Sequence, residues 1–128
     1  MDRRQAFLLI AAIGLVPIAL SYGVAPSKSL GYLFGLSVTT VDGTHIFRAV
    51  MGLYLALACF WVAGALKPHL TRAALWSLVV FMLGLAAGRV LSLMLDGWPH
   101  LLLVVYLLLE LAFGAVGVML LRAEPRQS

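Results

Sequence analysis

An acidic residue, Glu110, lies near the middle of the last of four long apolar runs, and nothing else in the chain constrains its fold as strongly. About 20 consecutive apolar residues suffice to cross a hydrocarbon core of roughly 30 Å. A carboxylate at such a depth is costly unless a partner or a hydrated cavity compensates for it. Arg48 and Arg89 lie inside two of the other runs, which makes a buried charge cluster the natural expectation.

Composition supports lipid as the solvent for much of the surface. The chain has 128 residues, of which 63% are hydrophobic and 11% charged, and its mean hydropathy is +1.06. Soluble domains carry about a quarter charged residues, and a soluble domain this small could not hide so much apolar surface. The expected class is therefore an all-α integral membrane four-helix bundle forming a single transmembrane domain over residues 1–128. Nine Lys and Arg against five Asp and Glu read as a topology signal rather than a nucleic-acid footprint, because most basic residues flank the runs. No nucleic-acid partner is expected.

The pattern predicts helices over about 6–22, 44–66, 71–95 and 100–121, followed by a flexible tail, 122–128. Pro17 interrupts the first, a tolerable kink if neighbouring groups satisfy the freed carbonyl. The charged start and apolar stretch also resemble a signal peptide. Gly23-Val24-Ala25-Pro26 offers no clean small-x-small cleavage site, so a retained helix is expected. Residues 23–43, rich in glycine yet carrying Leu30, Tyr32, Leu33, Phe34 and Leu36, are too long and apolar for a plain solvated loop. They read as an interfacial or partly re-entrant segment capping the bundle. Lys67-Pro68 and Asp96-Gly97-Trp98-Pro99 mark the remaining turns.

Arg3, Arg4, Lys67, Arg72, Arg122 and Arg126 all fall on one side of this arrangement, with Lys28 in the connection on the other. The positive-inside rule then places both termini in the cytoplasm, the 23–43 connection on the periplasmic side, and the protein in a bacterial inner membrane.

With that topology the polar residues gather in the outer half of the membrane. His45 and Arg48 share one face at the outer start of the second run. Arg89, Ser92 and Asp96 climb one face of the third over about 10 Å, and Glu110 lies about 15 Å below His100. Tyr106 is one turn above Glu110. The simplest pairing joins Glu110 to Arg89 through a bidentate contact, with Arg48 sharing the carboxylate. A candidate ligand site follows, with Arg89 and Glu110 as its floor and Arg48, His45, Tyr106, Ser92 and Asp96 as walls and rim. The competing reading is an ion pair that only fixes helix register.

Other features point to packing. Gly84 and Gly88 form a GxxxG, read as close contact within the bundle before a dimer face, and Gly52, Gly114 and Gly117 are read in the same way. Cys59, the lone cysteine, is expected to be a small packing residue. His45, His69 and His100 lack zinc-ligand spacing, and the two that a haem would need lie at outer helix ends. No catalytic residue, metal or cofactor is expected.

Ile46-Phe47-Arg48-Ala49-Val50-Met51-Gly52-Leu53-Tyr54, Gly88-Arg89-Val90-Leu91-Ser92, Asp96-Gly97-Trp98-Pro99 and the following Glu110 resemble the signature of a bacterial membrane family. That family consists of small four-helix proteins of unknown function (domain-of-unknown-function family 4345). The resemblance, from Pro17 to about Leu121, implies four membrane helices and points to the same polar residues, but implies no activity. A fold-level likeness to four-helix sterol-isomerase and sterol-binding membrane proteins is carried by no local motif.

The leading expectation is a non-enzymatic inner-membrane protein that binds a small amphipathic ligand or lipid headgroup in an outward-facing polar pocket, with the bilayer as its constant partner. A structural or assembly subunit, paired with itself or with a membrane complex through the Gly84/Gly88 face, is the alternative. A membrane-embedded enzyme using Glu110 or His45 as general acid or base comes third, because no nucleophile with its base, metal cage or phosphate loop is present.

Overall fold

The computed structural model describes residues 1–123, so Arg126 and most of the expected tail lie outside the described residues. Within them the protein is all-helical: α1 (Arg3–Gly23), α2 (Pro26–Phe34), α3 (Val41–Leu66), α4 (Pro68–Asp96) and α5 (Leu101–Arg122). Four of these, α1, α3, α4 and α5, are long and apolar enough to cross a membrane. With 21, 26, 29 and 22 residues, they span about 31 to 43 Å at 1.5 Å per residue, at or beyond the thickness of a hydrocarbon core.

Local chemistry sets the helix ends. Asp2 accepts the Gln5 N–H while the Gln5 side chain accepts the Asp2 N–H, both at 3.0 Å, so two otherwise orphaned donors at the start of α1 are satisfied. Pro26 opens α2, and Gly35 closes it at φ +67°, a left-handed position that a side chain would strain. Thr40 caps α3 by accepting the Gly43 N–H at 2.9 Å. A single residue, Lys67, joins α3 to α4, and the Thr71 hydroxyl ties this turn by donating to the Gly64 carbonyl at 2.6 Å. His100 caps α5 through Nδ1, which accepts the Leu102 N–H at 3.1 Å.

α1 packs chiefly on α3, α3 on α4 and α4 on α5, whereas α1 and α5 touch only lightly. Small residues permit the closest approaches. A Cβ on Gly64 would collide with Ala74, one on Gly114 with Leu83, and one on Gly117 with Val79. The core runs through Leu8, Ala12 and Ala19 of α1, Ala58 and Trp61 of α3, and Ala74, Leu75 and Leu78 of α4. Trp61 is wholly buried, and its indole N–H donates to the Ser77 hydroxyl at 3.0 Å, which satisfies the one polar atom of a large apolar side chain. Outside, Ile10, Ile13, Leu53, Val80, Leu91 and Met94 are exposed, an apolar exterior that lipid solvates without penalty.

The 23–43 connection contains α2, whose Leu30 is fully buried. Its last residue, Phe34, reaches α5 and meets His100 and Tyr106 edge to face, with ring centres 5.9 and 6.2 Å apart. The packing expected of four residues needs correction. Gly52, Gly84 and Gly88 have no neighbouring atom within 4 Å of a Cβ position, so they are not the residues at which helices close up. Cys59 faces outward instead of into the core.

Candidate functional site

Arg89 is on α4 and Glu110 on α5, the two helices joined by the Gly97–His100 turn. Glu110 is buried, and Arg89 is partly so. The Arg89 Nε–H is shared by both carboxylate oxygens, at 2.9 and 3.0 Å. This differs from the expected bidentate fork, in which two N–H groups each meet one oxygen. The carboxylate is thus fully engaged by a single donor, and the terminal nitrogens of the guanidinium are turned to other company.

That company is aromatic. The guanidinium carbon lies 5.8 Å from the centre of the Tyr106 ring, within cation–π range. The Tyr22 side chain approaches the guanidinium from α1. Tyr22 in turn meets Tyr54 edge to face at 5.6 Å, and Tyr54 meets Phe81 at 5.1 Å. Three tyrosines from three helices therefore surround the pair. Tyr22 and Tyr54 were absent from the residues expected at the site. Tyr22 falls at the end of an apolar run, where a tyrosine reads as part of the interfacial aromatic belt, whereas Tyr54 falls mid-run among apolar residues and reads as packing.

Below the pair a cavity of about 290 Å³ separates α1 from α5. Ile10, Gly14 and Ile18 wall it on the α1 side, Leu109 and Phe113 on the α5 side, and Arg89, Glu110 and Tyr106 form its polar end. Gly14 leaves room here, since a Cβ at that position would meet nothing within 4 Å. Phe7 stacks on Phe113 at 5.4 Å and closes the α1–α5 seam toward the chain termini. The wall residue Ile10 is 59% exposed, so the seam at the cavity faces the region lipid would occupy. A chamber with one polar end and apolar walls is the general form of a site for amphipathic molecules.

The other expected site residues separate from this centre. Ser92 donates to Asp96 at 2.8 Å on the exposed surface of α4. Ser92 shares with Arg89 a second, shallower recess behind Gly84 and Gly88, which Asp96 does not line. Arg48 does not share Glu110. Its Nη1 donates to the carbonyls of Gly23 at 3.0 Å and Val24 at 3.5 Å, capping the end of α1. The reason is reach: the C-terminal carbonyls of α1 are nearer its side chain than is the carboxylate on α5, and they are acceptors needing partners. His45 accompanies Arg48 in a separate groove against α2. His45 and His100 do not converge, and no group of three or more His, Cys, Asp or Glu among the described residues could hold a metal ion.

Comparison with known proteins gives one match. A family described as "Domain of unknown function (DUF4345)" covers residues 4–121. No curated protein and no solved structure matches the chain.

Proposed function

The chain belongs to the DUF4345 family, whose description carries no activity, and from the chemistry of its site we propose that it binds a small amphipathic ligand or lipid headgroup as a non-enzymatic protein of a bacterial inner membrane. Both termini are cytoplasmic in this reading, and the polar end of the chamber lies in the outer half of the bilayer. One observation carries it. Both Glu110 oxygens are taken by Arg89 Nε, while Arg89 itself, with Tyr54 and Tyr106, lines an otherwise apolar cavity. An Arg–Glu pair with no net charge and spare donors suits a neutral or weakly anionic acceptor, such as a carbonyl or ester, better than a cation. The apolar remainder of the ligand would lie between Ile10, Gly14 and Phe113, reached sideways from the bilayer through the α1–α5 seam.

Native mass spectrometry of the chain released gently from its own membranes, with lipid analysis of what accompanies it, tests this reading. A discrete amphiphile should co-elute with the protein and be lost in Arg89→Gln and in Glu110→Gln. The charge swap Arg89→Glu with Glu110→Arg should restore folding without restoring the ligand. Retention of the molecule in both single variants refutes the proposal.

A second reading, an assembly subunit, draws on Gly84 and Gly88, where a Cβ would meet nothing within 4 Å. It predicts a specific protein partner or a second copy that dissociates when Gly84 is enlarged to Leu. A monomer in both mild detergent and native lipid discs counts against it.

A further inference from the structure

We propose that the groove between the starts of α2 and α3 is a second, independent site, and that its ligand is a phosphate group. It lies where α1 ends and α3 begins, with a volume of about 780 Å³. Lys28, His45 and Arg48 line it together with the hydroxyl residues Ser27, Thr39 and Thr44, and no acidic side chain lines it. Asp42, in the first turn of α3, is not among the lining residues. The groove therefore lines one open space with two permanent cations, an imidazole and several hydroxyls. Among the lining residues that is a surplus of donors and positive charge with no acidic side chain to offset it.

Two features make this more than a coincidence of exposed side chains. Arg48 is fixed, because its Nη1 is held by the carbonyls of Gly23 and Val24. Its Nε and Nη2 have no hydrogen-bond acceptor among the described residues, so a preplaced guanidinium presents its remaining donors. The electrostatics of the backbone point the same way. The groove takes in the N-terminal turns of α2 and α3, both positive ends of helix dipoles, and the carbonyl end of α1 beside them is capped by Arg48 Nη1. A carboxylate would meet only part of this array. A phosphate, with more acceptor oxygens and up to two charges, can engage Lys28, Arg48 and a hydroxyl at once.

The placement also answers a question of topology. Lys28 stands in the connection opposite the basic end of the bundle, and it shares the groove with the one guanidinium that α3 brings to that end. Such basic groups beside helix ends are natural partners for lipid phosphates. The phosphate could belong to a phospholipid headgroup or to a soluble phosphate, and the chemistry of the groove is the same for both.

The test uses the full chain in a phosphate-free, non-ionic detergent, titrated separately with phosphatidylglycerol, diacylglycerol and inorganic phosphate, with bound lipid counted by native mass spectrometry. Phosphatidylglycerol should saturate at one molecule per chain more tightly than diacylglycerol. Its binding should weaken about tenfold in Arg48→Gln, where charge-assisted hydrogen bonds are lost. It should weaken about threefold in Lys28→Gln, an exposed and screened contact. Lys67→Gln, at the opposite end, should bind as the unmodified chain does. Among the described residues the Lys28 side chain makes no hydrogen bond or ion pair, so its variant folds even where Arg48→Gln loosens the end of α1. Displacement of the lipid by millimolar inorganic phosphate identifies a site for the phosphate group itself. Lack of displacement identifies a headgroup site that also needs the acyl chains. Equal affinity for diacylglycerol, or unchanged affinity in both Lys28→Gln and Arg48→Gln, overturns the proposal.

Discussion

Removal of either member of the Arg89–Glu110 pair should destabilise the bundle, and removal of both should cost less than the sum. With charge centres roughly 4 Å apart and an effective dielectric constant near 20, the attraction is about 4 kcal/mol. The Arg89 side chain is 22% exposed, so screening reduces the coupling to about 2 kcal/mol. The two single variants should not be equivalent. Arg89 lies seven residues before the end of α4 at Asp96, about 10 Å by helical rise, and its long side chain can extend toward the interface when Glu110 is replaced. Glu110 lies nine residues into α5, and its short side chain has no such escape. Arg89→Gln should therefore cost about 3 kcal/mol and Glu110→Gln about 2 kcal/mol, near the lower end for a broken buried pair. Reversible unfolding in mixed micelles, titrated with a denaturing detergent and followed by circular dichroism, gives all four corners of the cycle. If the double variant equals the sum of the singles within about 0.5 kcal/mol, the pair is not coupled and the electrostatic account of the site fails.

Gly117→Val should separate α5 from α4, because its Cβ would lie 2.7 Å from Val79 Cγ2. A loss of about 1–3 kcal/mol in the same unfolding assay is expected, whereas Gly84→Ala, meeting nothing within 4 Å, should gain up to about 1 kcal/mol in helix propensity. Asp2 accepts the Gln5 N–H, which holds its carboxyl below the ordinary 3.8. A folded value below the unfolded one means the cap contributes fully above 3.8 and is lost as pH falls through the folded value. Gln5 amide exchange should accelerate over that window in the natural chain and not in Asp2→Asn, which caps without titrating. In single-tryptophan variants, brominated lipid should quench Trp76, 51% exposed, and spare Trp61, which is fully buried.

The four long helices were legible because lipid imposes length and apolarity on whole segments, and Lys67-Pro68 and Asp96-Gly97-Trp98-Pro99 punctuate them. Glu110 and Arg89 could be paired on depth alone, since rise per residue brings them to similar levels on adjacent helices. Depth does not give direction around a helix axis, however. Arg48 lay at a plausible level for Glu110, yet only the fold brings it against the carbonyls of Gly23 and Val24. Tyr22 and Tyr54 were hidden for the same reason. A tyrosine at a helix end, as Tyr22 is, or in mid-helix, as Tyr54 is, looks alike in sequence whether its ring faces lipid or turns inward to a guanidinium. The glycines show the limit most plainly. Gly84 and Gly88 carry the recognisable spacing, but the close contacts occur at Gly64, Gly114 and Gly117, chosen by which faces meet.

The ion pair is made between neighbours in the chain, 21 residues apart across a four-residue turn. This matters at the moment of synthesis. An arginine or aspartate alone at the centre of a nascent helix raises the free energy of insertion by about 2.5–3.5 kcal/mol, and a deep glutamate meets a related penalty. Two such groups on distant segments would each meet that barrier alone. On α4 and α5 they belong to one hairpin, so the charges can neutralise one another before the bilayer closes around them. The pair that shapes the mature chamber thus also allows the last two helices to enter the membrane as a single unit.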